Sequence, residues 1–192
     1  MKRKLTEKKL KQLYRLLSVP MTDFDCGKDC APQNNGVPYC CDQDKVTPVL
    51  FKDEYRWHRT QRGFWRKMPV KTKSDRKLVE ESCSYNVFAV CPGVQKCRRT
   101  VRSLTCRLFP FEPFLDSTGT VQGLVYQDGN NGSCSLMNKP QHVYNPLYIR
   151  NAIRVWQELV ETFPEDKEMY LRESRKRTRQ AARTKRPLRL FR

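Results

Sequence analysis

The most regular hydrophobic pattern in the chain lies toward its C-terminal end. Ile149, Ala152, Ile153, Trp156, Val160 and Phe163 recur at the spacing of one helical face. Asn145 supplies an N-cap and Pro146 sits at the favoured first position, so a helix is expected to begin there. Pro164 interrupts it, and a second helix is expected from Glu165 to about Arg183. At the other end, Leu10, Leu13, Tyr14 and Leu17 mark one face of a short helix, with Lys8, Lys9, Lys11 and Arg15 around the rest. Val19-Pro20 closes it, because the residue before a proline avoids helical geometry. Its leucines are expected to dock it on the domain; its lysines give it a second reading, as a helix for nucleic acid or a membrane surface.

Between these ends the pattern is broken. Gly27, Pro32, Asn34, Asn35, Gly36 and Pro38 make the stretch from Met21 to Asp44 loop-like. An extended entry from Val46 to Phe51 leads into a helix that begins around 52–54 and carries Tyr55 and Trp57. Residues 66–77 are polar and basic and read as a surface connection. Val87 to Cys91 reads as a short buried strand, and Val121 to Tyr126 as another that runs into a turn over 127–132. The fold class this predicts is a small, irregular α+β protein with short strands and peripheral helices. Residues 1–20 form a basic amphipathic helix, 21–163 a cysteine-cluster domain, and 164–192 a basic tail, helical or disordered.

Composition changes this picture in two ways. The 192 residues are only 38% hydrophobic, so the apolar core is expected to be thin and nine cysteines are the obvious reinforcement. The second change is charge: 38 Lys and Arg against 20 Asp and Glu give +18, a field that attracts polyanions without reading their sequence. The N-terminal stretch is positive but lacks the uninterrupted apolar run of a secretory signal, and no run approaches the ~20 apolar residues of a membrane span. The expectation is a cytoplasmic protein, where thiols stay reduced and clustered cysteines point to metal rather than disulfides.

The cysteines fall into two blocks. The first is Cys26-x3-Cys30-x9-Cys40-Cys41; the second is Cys91-x5-Cys97-x8-Cys106, with Cys134 after a further loop. A soft metal needs several deprotonated sulfurs around it, and these eight are the expected ligands of a metal-stapled core. Neither spacing is that of a zinc ribbon or a ferredoxin. More thiols are present than one tetrahedral zinc requires, which favours an iron–sulfur cluster, a [4Fe–4S] centre in particular, with zinc as the alternative. Cys83 stands apart and reads equally well as a core residue. His58 is expected to pack or lie on the surface, and His142 has the better claim of the two histidines to complete a site. Asp53 and Glu54 are adequately explained by the dipole of the helix they begin.

The segments FDCGKDC, YCCDQDKVTPVLFKDE and KCRRTVRSLTCRLFPFEPF resemble the YkgJ-type cysteine-cluster family of zinc- or iron-chelating proteins. The likeness runs over residues 24–136 and is carried by Phe24, Cys26, Cys30, Cys40, Cys41, Cys97 and the Cys106-Arg107-Leu108-Phe109-Pro110 motif, with Cys134 as a final member. The chain departs from the family pattern in a longer spacer between Cys30 and Cys40, and in Arg102-Ser103 where the family has Arg-Pro. The resemblance implies metal chelation. Flagellin lysine N-methylases share this kind of motif and use an iron–sulfur cluster with S-adenosylmethionine, which raises a cluster-dependent methyl-transfer or redox enzyme as an alternative. Arg107 is a candidate to donate hydrogen bonds to the cluster or its thiolates. Phe109, Phe111 and Phe114 are expected to wall the centre off from water. A nucleic-acid-binding protein with a structural metal, engaged through the cationic tail, is the remaining alternative.

Overall fold

The computed structural model describes residues 4–62, 64–128 and 134–192. Seven α-helices and five strands follow one another along it: α1 (Glu7–Leu16), α2 (Cys26–Cys30), β1 (Val49–Phe51), α3 (Lys52–Arg62), β2 (Arg66–Lys67), α4 (Lys73–Glu80), β3 (Asn86–Val90), α5 (Leu104–Leu108), β4 (Phe111–Leu115), β5 (Val121–Tyr126), α6 (Pro146–Thr162) and α7 (Pro164–Thr184). The α+β class is as expected. The strands form two separate antiparallel sheets, one ordered β1-β3-β2 and the other the β4–β5 hairpin.

α6 begins as its sequence dictates, with the Asn145 side chain accepting from the Leu147 N–H and Pro146 at the first position. Its helical stripe buries Tyr148, Ile149, Ala152, Val155, Trp156, Leu159 and Val160. The helix is therefore central, not peripheral. α1 lays Leu10, Leu13 and Tyr14 into the same cluster, and the hairpin contributes Phe111, Leu115 and Leu124. The core is apolar and broader than the composition suggested, because the few hydrophobic residues are concentrated on these matching faces. Cys134 is part of this cluster and Cys26 packs against it. A second, smaller cluster of Leu50, Tyr55, Trp65, Val87 and Ala89 backs the three-stranded sheet.

Two elements differ from the sequence reading. The stretch 66–77 is not a plain connection: Arg66 and Lys67 pair with Val90 and Ala89, and Thr72 opens α4 through a reciprocal capping box with Asp75. The Phe-rich segment after α5 is strand β4, whose alternation puts Phe111, Pro113 and Leu115 inward. The turn expected after Tyr126 falls largely on 129–133, outside the described residues. Among the described residues, no helix is long and apolar enough to cross a membrane.

The basic tail is helical to Thr184 and then folds back. Phe191 pairs with Leu124 in an isolated antiparallel bridge and is only 3% exposed, its ring 4.8 Å from that of Phe111 and 5.1 Å from those of Tyr126 and Tyr144. Gly123 is required for this approach, since a Cβ there would stand 2.5 Å from the Phe191 carbonyl oxygen. Phe191→Ala is expected to cost about 3–5 kcal/mol in denaturant unfolding. A loss below about 1 kcal/mol would mean that the bridge contributes little.

Candidate metal centre

The first cysteine block is built on local turns. Asp25 caps α2 by accepting from the Gly27 N–H at 3.0 Å, and the i,i+4 spacing puts Cys26 and Cys30 on one side of that short helix. Beyond it, buried Asn34 organises the loop: its amide donates to the Val37 carbonyl at 2.9 Å and to Asp42 at 3.1 Å, and its oxygen accepts from Lys45. The chain reverses through Asn35 and Gly36, both at positive φ, where glycine carries no steric penalty. The loop thus has a polar scaffold of its own, a source of order that the sequence reading assigned to metal. A turn over Tyr39–Cys41 then presents the adjacent cysteines, their sulfurs 4.0 Å apart.

Gln43 joins the two blocks. Its side chain donates to the Cys91 carbonyl at 3.0 Å and accepts from the Cys91 N–H at 3.3 Å, clamping the end of β3 to the first loop. Cys97 follows a turn over Val94–Lys96. Cys106 rides on α5, where the Ser103 hydroxyl caps the helix by accepting from the Cys106 N–H at 3.1 Å. Cys134 is buried at the start of a turn over Ser135–Asn138, tied to α2 by the Lys139–Asp29 ion pair at 3.2 Å.

Together these turns direct eight of the nine cysteines at two adjoining cavities. One, of about 370 Å³, is lined by Cys26, Cys30, Cys40, Cys106 and Cys134. The other, of about 30 Å³, is lined by Cys40, Cys41, Cys91, Cys97 and Cys106. Cys83 lies elsewhere, half-buried beside Asp166 and Tyr85, where burial and the Asp166 carboxylate push its thiol up to about 11. Neither histidine joins the thiols: His58 is turned toward Tyr14, and His142 is exposed. The donors at the cavities are cysteine sulfurs, joined at the larger one by the Asp25 carboxylate, a sulfur-rich set that suits zinc or an iron–sulfur cluster. Among the described residues, no three His, Cys, Asp or Glu side chains are already converged to hold one ion.

Protonation is uneven across the set. Burial raises the thiols of Cys106 and Cys134 to about 11. Cys41 is pulled down to about 7, first by the hydrogen bond from Cys40 and then by the nearby Arg102 charge; Cys40, as the donor, is correspondingly raised. Arg102 also donates Nε–H to the Cys97 sulfur at 3.4 Å. This is the role the sequence suggested for Arg107. Arg107 lines the larger cavity but donates to the backbone carbonyls of Arg102, Leu17 and Arg99 and stacks 4.7 Å over the Tyr14 ring. Of the three phenylalanines expected to wall the centre, only Phe109 lines the larger cavity; Phe111 is in the apolar core, and Phe114 lies along the C-terminal segment.

Sequence reasoning missed the group behind Cys106. Glu54 is fully buried: its Oε1 accepts from the Tyr14 hydroxyl at 2.5 Å and the Leu104 N–H at 2.7 Å, and its Oε2 from the Phe51 N–H at 3.2 Å. Tyr14 also meets His58 Nε2 at 2.7 Å. One carboxyl thus fixes the N-terminus of α5, and with it Cys106, to α1 and α3. Burial lifts Glu54 to about 7 and lowers His58 to about 4. The chain matches no protein-family model, and no match was found among curated proteins or solved structures.

Proposed function

We propose that the protein chelates metal through its clustered cysteines, as an iron–sulfur cluster or as zinc. The observation that carries this is the gathering of eight thiols, distant in sequence, around two adjoining cavities while Cys83 stays apart. The resemblance to YkgJ-type proteins supports the same reading. When bound, the metal supplies either a redox-active cluster or a structural cross-link between the two cysteine blocks. The protein's own part is to hold Cys91 against the first loop through Gln43, to set Cys106 through Ser103 and Glu54, and to place the Arg102 guanidinium beside the thiolate charge. Anaerobic purification followed by metal and sulfide analysis and a visible spectrum tests this. Stoichiometric iron with sulfide and a broad brown absorbance identify a cluster, and a colourless zinc protein identifies a structural site. Metal-free protein overturns the proposal.

A second reading, nucleic-acid binding, is favoured by the outer face of α7. Arg172, Arg175, Arg179 and Arg183 are all exposed at helical spacing, while Asp166 and Ser174 of the same helix are buried on its inner face. Replacing these four arginines by glutamine is expected to weaken duplex binding and to reduce the slope of log K against log salt by about 3–4. An unchanged slope would remove the reading.

A further inference from the structure

The eight thiols do not face a single space. Cys26, Cys30 and Cys134 line only the larger cavity, and Cys41, Cys91 and Cys97 line only the smaller one. Cys40 and Cys106 line both and stand in the wall between them. A single ion or cubane in either cavity would reach at most five of the eight. Each closed zinc or [4Fe–4S] site takes four thiolates, so each exclusive trio lacks one ligand and the wall holds two.

Resting on the metal-chelating reading above, we propose that the chain carries two separate four-thiolate centres: Cys26, Cys30 and Cys134 belong to one, Cys41, Cys91 and Cys97 to the other, and Cys40 and Cys106 each complete one of them.

Charge compensation fits two centres. A divalent ion with four thiolates leaves two negative charges, so a pair of such centres gathers four in a small volume. Arg102 lines both cavities, so it stands between them, and Arg99 and Arg107 line the larger one. Loading draws the side chains inward, since the sulfurs have to close to ~2.3 Å from each zinc.

The test compares metal and sulfide per chain in the full-length wild type, Cys134→Ala, Cys97→Ala and the double variant, all purified anaerobically. Each single variant is expected to keep about half of the wild-type metal and the double variant none. If either single substitution empties the folded protein, or leaves its metal unchanged, two centres are excluded while the metal-chelating reading stands. Metal-free wild type defeats both. A second measurement does not depend on the variants folding. Co(II) titrated into the metal-free wild-type chain should raise sulfur-to-cobalt absorption to a break at two ions per chain, and a break at one overturns the proposal.

Discussion

Replacing Glu54 by alanine is expected to cost about 3–5 kcal/mol. The Leu104 and Phe51 amides and the Tyr14 hydroxyl all point at its carboxyl; the two amides would be left without a partner in a buried site, and the hydroxyl would keep only His58. Glu54→Gln keeps the acceptor oxygen and should recover much of that loss, at the same time removing a titration.

The pH dependence then separates Glu54 from His58. Burial raises Glu54 from 4.5 to about 7, so the native state retains a proton that the unfolded chain releases. Its contribution is full below 4.5 and is lost as pH rises through 7. His58 is 6% exposed and depressed from 6.5 to about 4, so the native state refuses a proton the unfolded chain accepts. Its contribution is full above 6.5 and is lost as pH falls through 4. Between 4.5 and 6.5 the two slopes oppose, each at most about 1.4 kcal/mol per pH unit. Glu54→Gln should therefore make stability rise with pH across that window relative to wild type, and His58→Gln should make it fall. Glu112 and Asp166, raised to about 7 and about 6 mainly by burial, titrate in all three proteins and cancel in the comparison. Parallel curves for the three would show that the two groups are not buried as described.

Cys106→Ser is expected to lower metal content and thermal stability together, whereas Cys83→Ser leaves metal content unchanged. The contrast follows from position: Cys106 stands in the wall shared by both cavities, and Cys83 lines neither. Because apparent zinc binding energies of about 10–16 kcal/mol act as folding energy in small thiolate sites, even partial loss should be plain in a melting curve. Equal metal loss in both variants, or none in either, would remove the ligand assignment.

The parts of the fold that were legible in the sequence are those governed by one local rule. α6 announced itself through Asn145, Pro146 and a long apolar stripe, and α7 through the proline that separates them. α4 was hidden because its hydrophobic residues do not face a core: Leu78 and Val79 are 41% and 43% exposed, and only the Thr72–Asp75 box marks its start. β4 was obscured by Pro113, which lies in a strand without a partner on its other side.

The site was legible as residue types but not as an arrangement. The spacing singled out the eight cysteines that line the cavities, yet their division depends on Gln43 reaching Cys91 from 48 positions away. Glu54 looked like an ordinary acidic residue at a helix start, because Tyr14 and Leu104 become its partners only when α1 and α5 pack beside α3. The exchange of Arg107 for Arg102 beside the sulfur has the same origin: Arg107 adjoins Cys106 in the sequence and Arg102 does not, yet the fold turns the Arg107 guanidinium to backbone carbonyls and the Arg102 guanidinium to Cys97.

The most direct test of the central claim is X-ray absorption at the metal edge of the anaerobically purified full-length chain. All-sulfur coordination at about 2.3 Å, with less metal bound in Cys106→Ser, is the predicted result. A metal ringed by nitrogen and oxygen, or no metal at all, would contradict it.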